Sequence, residues 1–108
     1  MKLLQTAALT TAFLLLSGST ASPATDAFRM AWLKAKCAVC HGADGAGSTA
    51  NGKRRGVPDL RSGPPQKMTD AQLAAVIGNG HSRMPAFHVQ LTKEQTGMVI
   101  AYIRSLRR

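Results

Sequence analysis

"CAVCHGADGAG", residues 37–47, holds both cysteines of this 108-residue chain, with two residues between them and His41 directly after the second. No further thiol exists to pair with them, so the motif has to be explained by what binds there. In an exported protein, C-x-x-C-H reads as covalent haem attachment: Cys37 and Cys40 become thioethers on the two porphyrin vinyl groups, and His41 reaches the iron from one face. Two intervening residues match the vinyl separation, and a helical continuation brings the histidine beneath the ring. Three rivals explain less. A Cys37–Cys40 disulfide would close a tiny loop, stabilise little through chain entropy and leave the histidine without a role. A thioredoxin-like redox pair needs a βαβ setting that this chain lacks. Zinc could take both cysteines and two of His41, His81 and His88, but the second pair has no regular zinc spacing.

The premise of export comes from the start of the chain, MKLLQTAALTTAFLLLSGSTAS, where Lys2 precedes an apolar run from about Ala7 to Leu16 and small residues follow. This is the layout of a secretory signal peptide, and about ten apolar residues are too few for a membrane span of roughly twenty. Residues 1–21 are therefore expected to be a cleaved leader, with Ser19 standing where a lipid-anchored bacterial precursor would need a cysteine. Residues 22–108 then form one domain, periplasmic or otherwise exported, soluble and without an integral membrane anchor. A domain of that size is marginal for a core built from side chains alone. A large, covalently tied apolar ring would serve it as both core and staple.

The formal charge of +9 favours acidic partners and salt-sensitive encounters. Lys53, Arg54 and Arg55 form the densest basic cluster, which reads equally as a solvated loop. Nucleic acid is not the expected partner, because the chain is exported, poor in aromatics and free of recognised nucleic-acid motifs.

Three segments read as helices, and no strand is expected, so the fold class is all-α. Asp26 to about Cys37 places Phe28, Ala31, Trp32 and Ala35 on one face. A second helix starts at a Thr69/Gln72 capping box, with Met68 placed to staple onto Leu73. It carries Leu73, Val76 and Ile77 as its apolar stripe and is expected to end at Gly78. The third starts at Thr92 with Gln95 and runs through Val99, Tyr102, Ile103 and Leu106, with Arg104, Arg107 and Arg108 at its carboxyl end. Gly97 inside it costs about 1 kcal/mol relative to Ala unless another backbone packs closely there. Residues 42–67 and 78–90 have neither period. A structureless stretch as long as 42–67 fits a compact domain when it wraps around something the sequence does not encode.

The iron's remaining axial position has several candidates. Met30 and Met98 lie in helical segments, and Met68 is accounted for as a staple. Met84, in GNGHSRMPAF, lies off any helix, and Pro85 pushes it toward an extended geometry that aims its thioether inward. Phe87 can then pack beside the ring. His81 and His88 in the same loop would instead give a bis-histidine haem of lower potential. The Nδ1 of His41 needs an acceptor to orient the ring, for which the Pro58 carbonyl is the candidate. Loop rigidification explains that proline equally well.

Taken in order, CAVCHG after a first helix, VPDL in the next loop, MPAF before the last helix and AYIRSL within it resemble the class I cytochrome c family in its short bacterial monohaem form. The resemblance spans nearly all of residues 22–108. It implies three main helices with long loops around one covalent haem c, the first and last helices crossing beside it. It also implies thioether roles for Cys37 and Cys40, His41 and Met84 as axial iron ligands, support of His41 by Pro58, and Tyr102 packed at the crossing. The family usually carries Gly and an aromatic residue eight and four positions before the first cysteine, where this chain has Arg29 and Leu33. Trp32 and Ala31 are expected to substitute through a rotated contact, which puts Trp32 with Phe87 among the haem-contacting residues. The implied function is single-electron transfer between larger complexes rather than enzymatic catalysis, by a chain expected to be monomeric. Lys34, Lys36 and the 53–55 cluster would form a basic collar for acidic surfaces of redox partners. A haem enzyme or gas or peroxide sensor with a labile sixth ligand, and a fixed cytochrome subunit of a dehydrogenase or oxidase, are the alternatives.

Overall fold

In the computed structural model, the described residues are Gly18 and 22–108; the expected leader, apart from Gly18, lies outside them. Within them the chain is helical, with α1 (Pro23–Trp32), α2 (Ala38–His41), α3 (Ala50–Arg55), α4 (Pro64–Lys67), α5 (Asp70–Asn79) and α6 (Lys93–Ser105). No strand forms among the described residues beyond an isolated bridge between His81 and Met84. None of the described helices is long and apolar enough to cross a membrane.

Local chemistry sets the ends of the long C-terminal helices. Thr69 accepts from the Gln72 N–H while Gln72 accepts from the Thr69 N–H, and Thr92 and Gln95 repeat the arrangement. Two orphan donors are thus satisfied at each helix start. The expected stop at Gly78 is corrected: α5 continues to Asn79 and ends on Gly80, which has φ 76° and donates to Val76 O at 2.9 Å. Gly78 instead lends its carbonyl to the returning chain, accepting from the Phe87 and His88 N–H groups and facing the His88 Nδ1.

The loop 42–67, expected to lack helical structure, contains two short helices. Thr49 caps α3 by accepting from the Gly52 N–H at 2.9 Å. α4 opens on Pro64 and Pro65, whose fixed φ suits a first turn and whose missing N–H groups are orphans there anyway. Neither helix has an apolar period, because tertiary contacts rather than amphipathicity hold them. Gln66 donates to the carbonyls of Leu60 and Ile103, and Arg104 donates to those of Pro65, Gln66 and Met68, so α4 is tied to α6.

The first helix is longer than one α-helical run. After Trp32 the chain passes through a π-helical turn, Leu33–Cys37, and re-enters α geometry in α2, with the Ala38 N–H bonded to Leu33 O. Its inward residues are Phe28 and Trp32, half-buried, and Leu33, buried, whereas Ala31 and Ala35 are exposed. The buried core of Leu33, Leu73, Ile77, Phe87, Leu91, Val99, Ile100 and Ile103 gathers the π turn, α5, the segment after it and α6, with Phe28 and Trp32 of α1 packed against it. No described side chain is fully buried. Gly97 sits exposed in α6, and a Cβ there would meet nothing within 4 Å, so no close backbone contact offsets its cost to the helix.

Candidate functional site

Six core residues, Leu33, Leu73, Ile77, Phe87, Val99 and Ile103, also wall a pocket of ≈ 990 Å³. That volume lies at the upper end of the range for small-molecule and cofactor sites, about 300–1,000 Å³. Cys37, Cys40 and His41 line it from the end of the first helix, Pro58 from the following loop, and Met84 from the segment after α5. Trp32 and Phe87 meet there edge to face, with ring centroids 5.1 Å apart and planes at 80°. The residues singled out in the sequence are thus brought to one cavity. His81 lines it too, while His88 does not.

The π turn explains how Trp32 reaches this wall. An α-helix would bring the residue four before Cys37, Leu33, over the same side as the cysteine. The i to i+5 turn widens the helix here, and both Trp32 and Leu33 line the pocket. Of the two residues expected to substitute through a rotated contact, Trp32 lines the pocket, whereas Ala31 is exposed and lies outside the lining.

The environment of the cysteines and histidine is set by burial. Both thiols are free, and burial pushes the Cys37 thiol up to about 11. Disulfide-exchange cysteines have lowered values, so this thiol is the opposite of a thioredoxin-like nucleophile. Burial also lowers the pKa of His41, favouring the neutral imidazole that metal ligation requires, while the Pro58 carbonyl acts in the raising direction. The contact with Pro58 falls outside hydrogen-bond geometry, however. The Nδ1 of His41 is buried without a partner, with that carbonyl as a polar neighbour. Among the described residues no three His, Cys, Asp or Glu side chains converge on a common metal position, so the zinc reading has no donor set.

Two close approaches hold the motif in place. Thr49 donates its hydroxyl to Cys40 O at 2.8 Å, and α3 lies so near that a Cβ on Gly52 would fall 2.3 Å from Cys40 O and 2.5 Å from Gly47 O. The loop after Pro58 is pinned by Asp59, whose carboxylate accepts from Arg61 Nε and Nη2 at 2.8 Å each and is thereby held down at about 2. Tyr102 on α6 lines the pocket and donates to Ala43 O at 3.0 Å, joining the last helix to the segment after His41.

A basic rim surrounds this pocket. Lys34, Lys36 and Arg55 are exposed and line it, whereas Lys53 and Arg54, expected with them, are exposed on α3 outside the lining. Arg83, which sequence reading did not single out, completes the rim beside Met84. Its only sequence signal is its place next to Met84. Val39, at 50% exposure, is an apolar residue on the same lining.

These residues fit a covalent haem: two free thiols, a half-buried imidazole whose pKa burial lowers, and a thioether converge on one apolar cavity. Comparison with known proteins points the same way. Residues 23–103 match the family model described as cytochrome c oxidase, cbb3-type, subunit III. The solved structure of the KustC0563 c-type cytochrome is similar, with a TM-score of 0.66 and 26% sequence identity, over 73% of this chain and 96% of that one. No curated protein matches the sequence significantly.

Proposed function

Because the chain belongs to the cytochrome c family represented by that subunit III model, we propose that it is a single-electron carrier built on one covalent haem c with His/Met axial ligation. In this reading Cys37 and Cys40 hold the ring as thioethers, and His41 and Met84 take the two axial positions. Bound there, the haem supplies one-electron exchange at its iron. The observation that carries the reading is the convergence of Cys37, Cys40, His41 and Met84 on one cavity walled by core residues.

The chain's own residues do three things for such a centre. Trp32, Leu33, Phe87 and Ile103 exclude water, which together with a thioether ligand raises the potential. Burial of the half-buried His41 lowers its pKa and so favours the form whose Nε2 lone pair is free to ligate, and the Pro58 carbonyl beside Nδ1 orients the ring once hydrogen-bonded. The exposed cations on the rim, Lys34, Lys36, Arg55 and Arg83, receive the acidic surface of a redox partner outside the cytoplasm.

The test is a visible spectrum of haem-loaded protein, oxidised and reduced, for wild type and Met84→Ala. The methionine-to-iron band is expected in the wild type alone, and carbon monoxide is expected to bind the reduced variant readily and the wild type poorly. Ready binding to the reduced wild type would favour a haem enzyme or sensor instead. A second prediction concerns the rim: electron exchange with an acidic partner slows severalfold between about 10 mM and 0.15 M salt, as the screening length shrinks from about 30 to about 8 Å. A rate independent of ionic strength would remove the collar.

The description of the matched family favours a second arrangement, in which this domain is a fixed cytochrome subunit of an oxidase. Its retention in a purified oxidase, against recovery as a free protein, separates the two.

A further inference from the structure

Met84 sits at the end of a tight turn. The His81 N–H donates to Met84 O at 3.2 Å and the Met84 N–H to His81 O at 2.9 Å, with Ser82 between them at φ 52°. Gly80 lies directly under the turn, where a Cβ would be 2.7 Å from Met84 O. Downstream the chain is anchored to α5 by the Phe87 N–H on Ile77 O at 3.0 Å. These bonds all join the turn to its own side of the pocket.

Across the rim the turn is joined to α3 by a reciprocal pair. Arg83 Nη1 donates to Arg54 O at 2.9 Å, and Arg55 Nη1 donates to Arg83 O at 3.2 Å. The first bond satisfies a carbonyl in the last turn of α3, a position without an intrahelical partner. The second takes the carbonyl of the residue directly before Met84. Two like charges are thereby held at one place, each guanidinium engaged with the opposite segment's main chain. Lys53, directly before Arg54 on the same helix, is equally exposed and lies outside the pocket lining.

We propose that Arg83 and Arg55 are positioning residues: their crossed main-chain bonds clasp the Met84 turn to α3 and hold the thioether in the pocket. The proposal rests on the reading of Met84 as an axial ligand. It assigns the two cations a task separate from partner docking, because a docking charge has no need of a main-chain acceptor on the facing segment. Loss of either arm frees the carbonyl side of the turn and lets the ligand swing out more often. One net hydrogen bond between a charged donor and a carbonyl is enough to change the open fraction by about tenfold.

The experiment uses haem-loaded wild type, Arg83→Gln, Arg55→Gln and Lys53→Gln, each examined for the methionine-to-iron band on warming and for carbon monoxide binding by the reduced form. Both arginine variants are expected to take up carbon monoxide about tenfold more readily and to lose the band at lower temperature. Lys53→Gln, which removes the same charge, is expected to match the wild type. The clasp is overturned if the arginine variants keep the wild-type band and reactivity, or if Lys53→Gln changes as much as they do. A wild type lacking the band altogether overturns the ligand reading and the clasp together, a result distinguishable from failure of the clasp alone.

Discussion

Gly52→Ala is expected to destabilise the domain by about 3 kcal/mol or more, a large share of the roughly 5–15 kcal/mol available to a protein. Alanine is the better helix former by about 1 kcal/mol, so propensity alone predicts the opposite sign. The geometry decides. The new methyl carbon would lie 2.3 Å from Cys40 O and 2.5 Å from Gly47 O, both main-chain atoms that cannot move aside by changing rotamer. Relief requires α3 to lift away from α2, taking with it the Thr49 hydroxyl bonded to Cys40 O. Since α2 carries Cys40 and His41, the variant should also yield less haem-loaded protein. Denaturant unfolding of the loaded variant measures the first effect and the haem-to-protein ratio the second; unchanged values of both would contradict the packing argument.

Arg104→Ala has the next largest expected effect on stability, about 2–4 kcal/mol. The guanidinium donates to Pro65 O and Gln66 O at 3.2 Å each and to Met68 O, and it pairs with the Asp70 carboxylate at 2.9 Å. Hydrogen bonds from a charged group contribute about 1.5–3 kcal/mol each, with strong non-additivity among bonds to one side chain. The ion pair is the lesser part, because the Asp70 side chain is 74% exposed and surface pairs are worth about 1 kcal/mol or less. Asp70→Asn should therefore cost about 1 kcal/mol or less, while Arg104→Ala costs severalfold more. Equal losses in thermal or denaturant unfolding would show that the salt bridge, and not the stapling of residues 65–68 to α6, carries the contribution.

Sequence reading went furthest where one residue's chemistry determines local geometry. The threonine–glutamine boxes fixed the starts of α5 and α6 because both partners lie within four residues. Pro85 singled out Met84 by a steric effect on its neighbour alone. The π turn was not legible in that way: nothing in LKAKC specifies an i to i+5 bond, and its effect appears only as Trp32 and Leu33 both facing inward. The short helices α3 and α4 escaped notice because their sequences, ANGKRR and PPQK, carry no apolar stripe. They are held by Thr49, Gln66 and Arg104, through contacts distant in sequence. The stop at Gly80 rather than Gly78 is of the same kind. Two glycines compete, and the close approach of Met84 O to one of them selects it.

The candidate site divides along the same line. Cys37, Cys40, His41 and Met84 were nameable from residue type and spacing, and the fold brings them to one cavity. Arg83 was not, because its bond to Arg54 O joins segments 29 residues apart.

A porphyrin covalently carried on Cys37 and Cys40 stays with the polypeptide under denaturing conditions, where the intact mass of the purified, haem-matured protein reads it. The expected mass is that of the polypeptide plus one haem, reduced to bare polypeptide in Cys37→Ser/Cys40→Ser. A folded wild-type protein at the mass of the bare polypeptide would rule out that attachment.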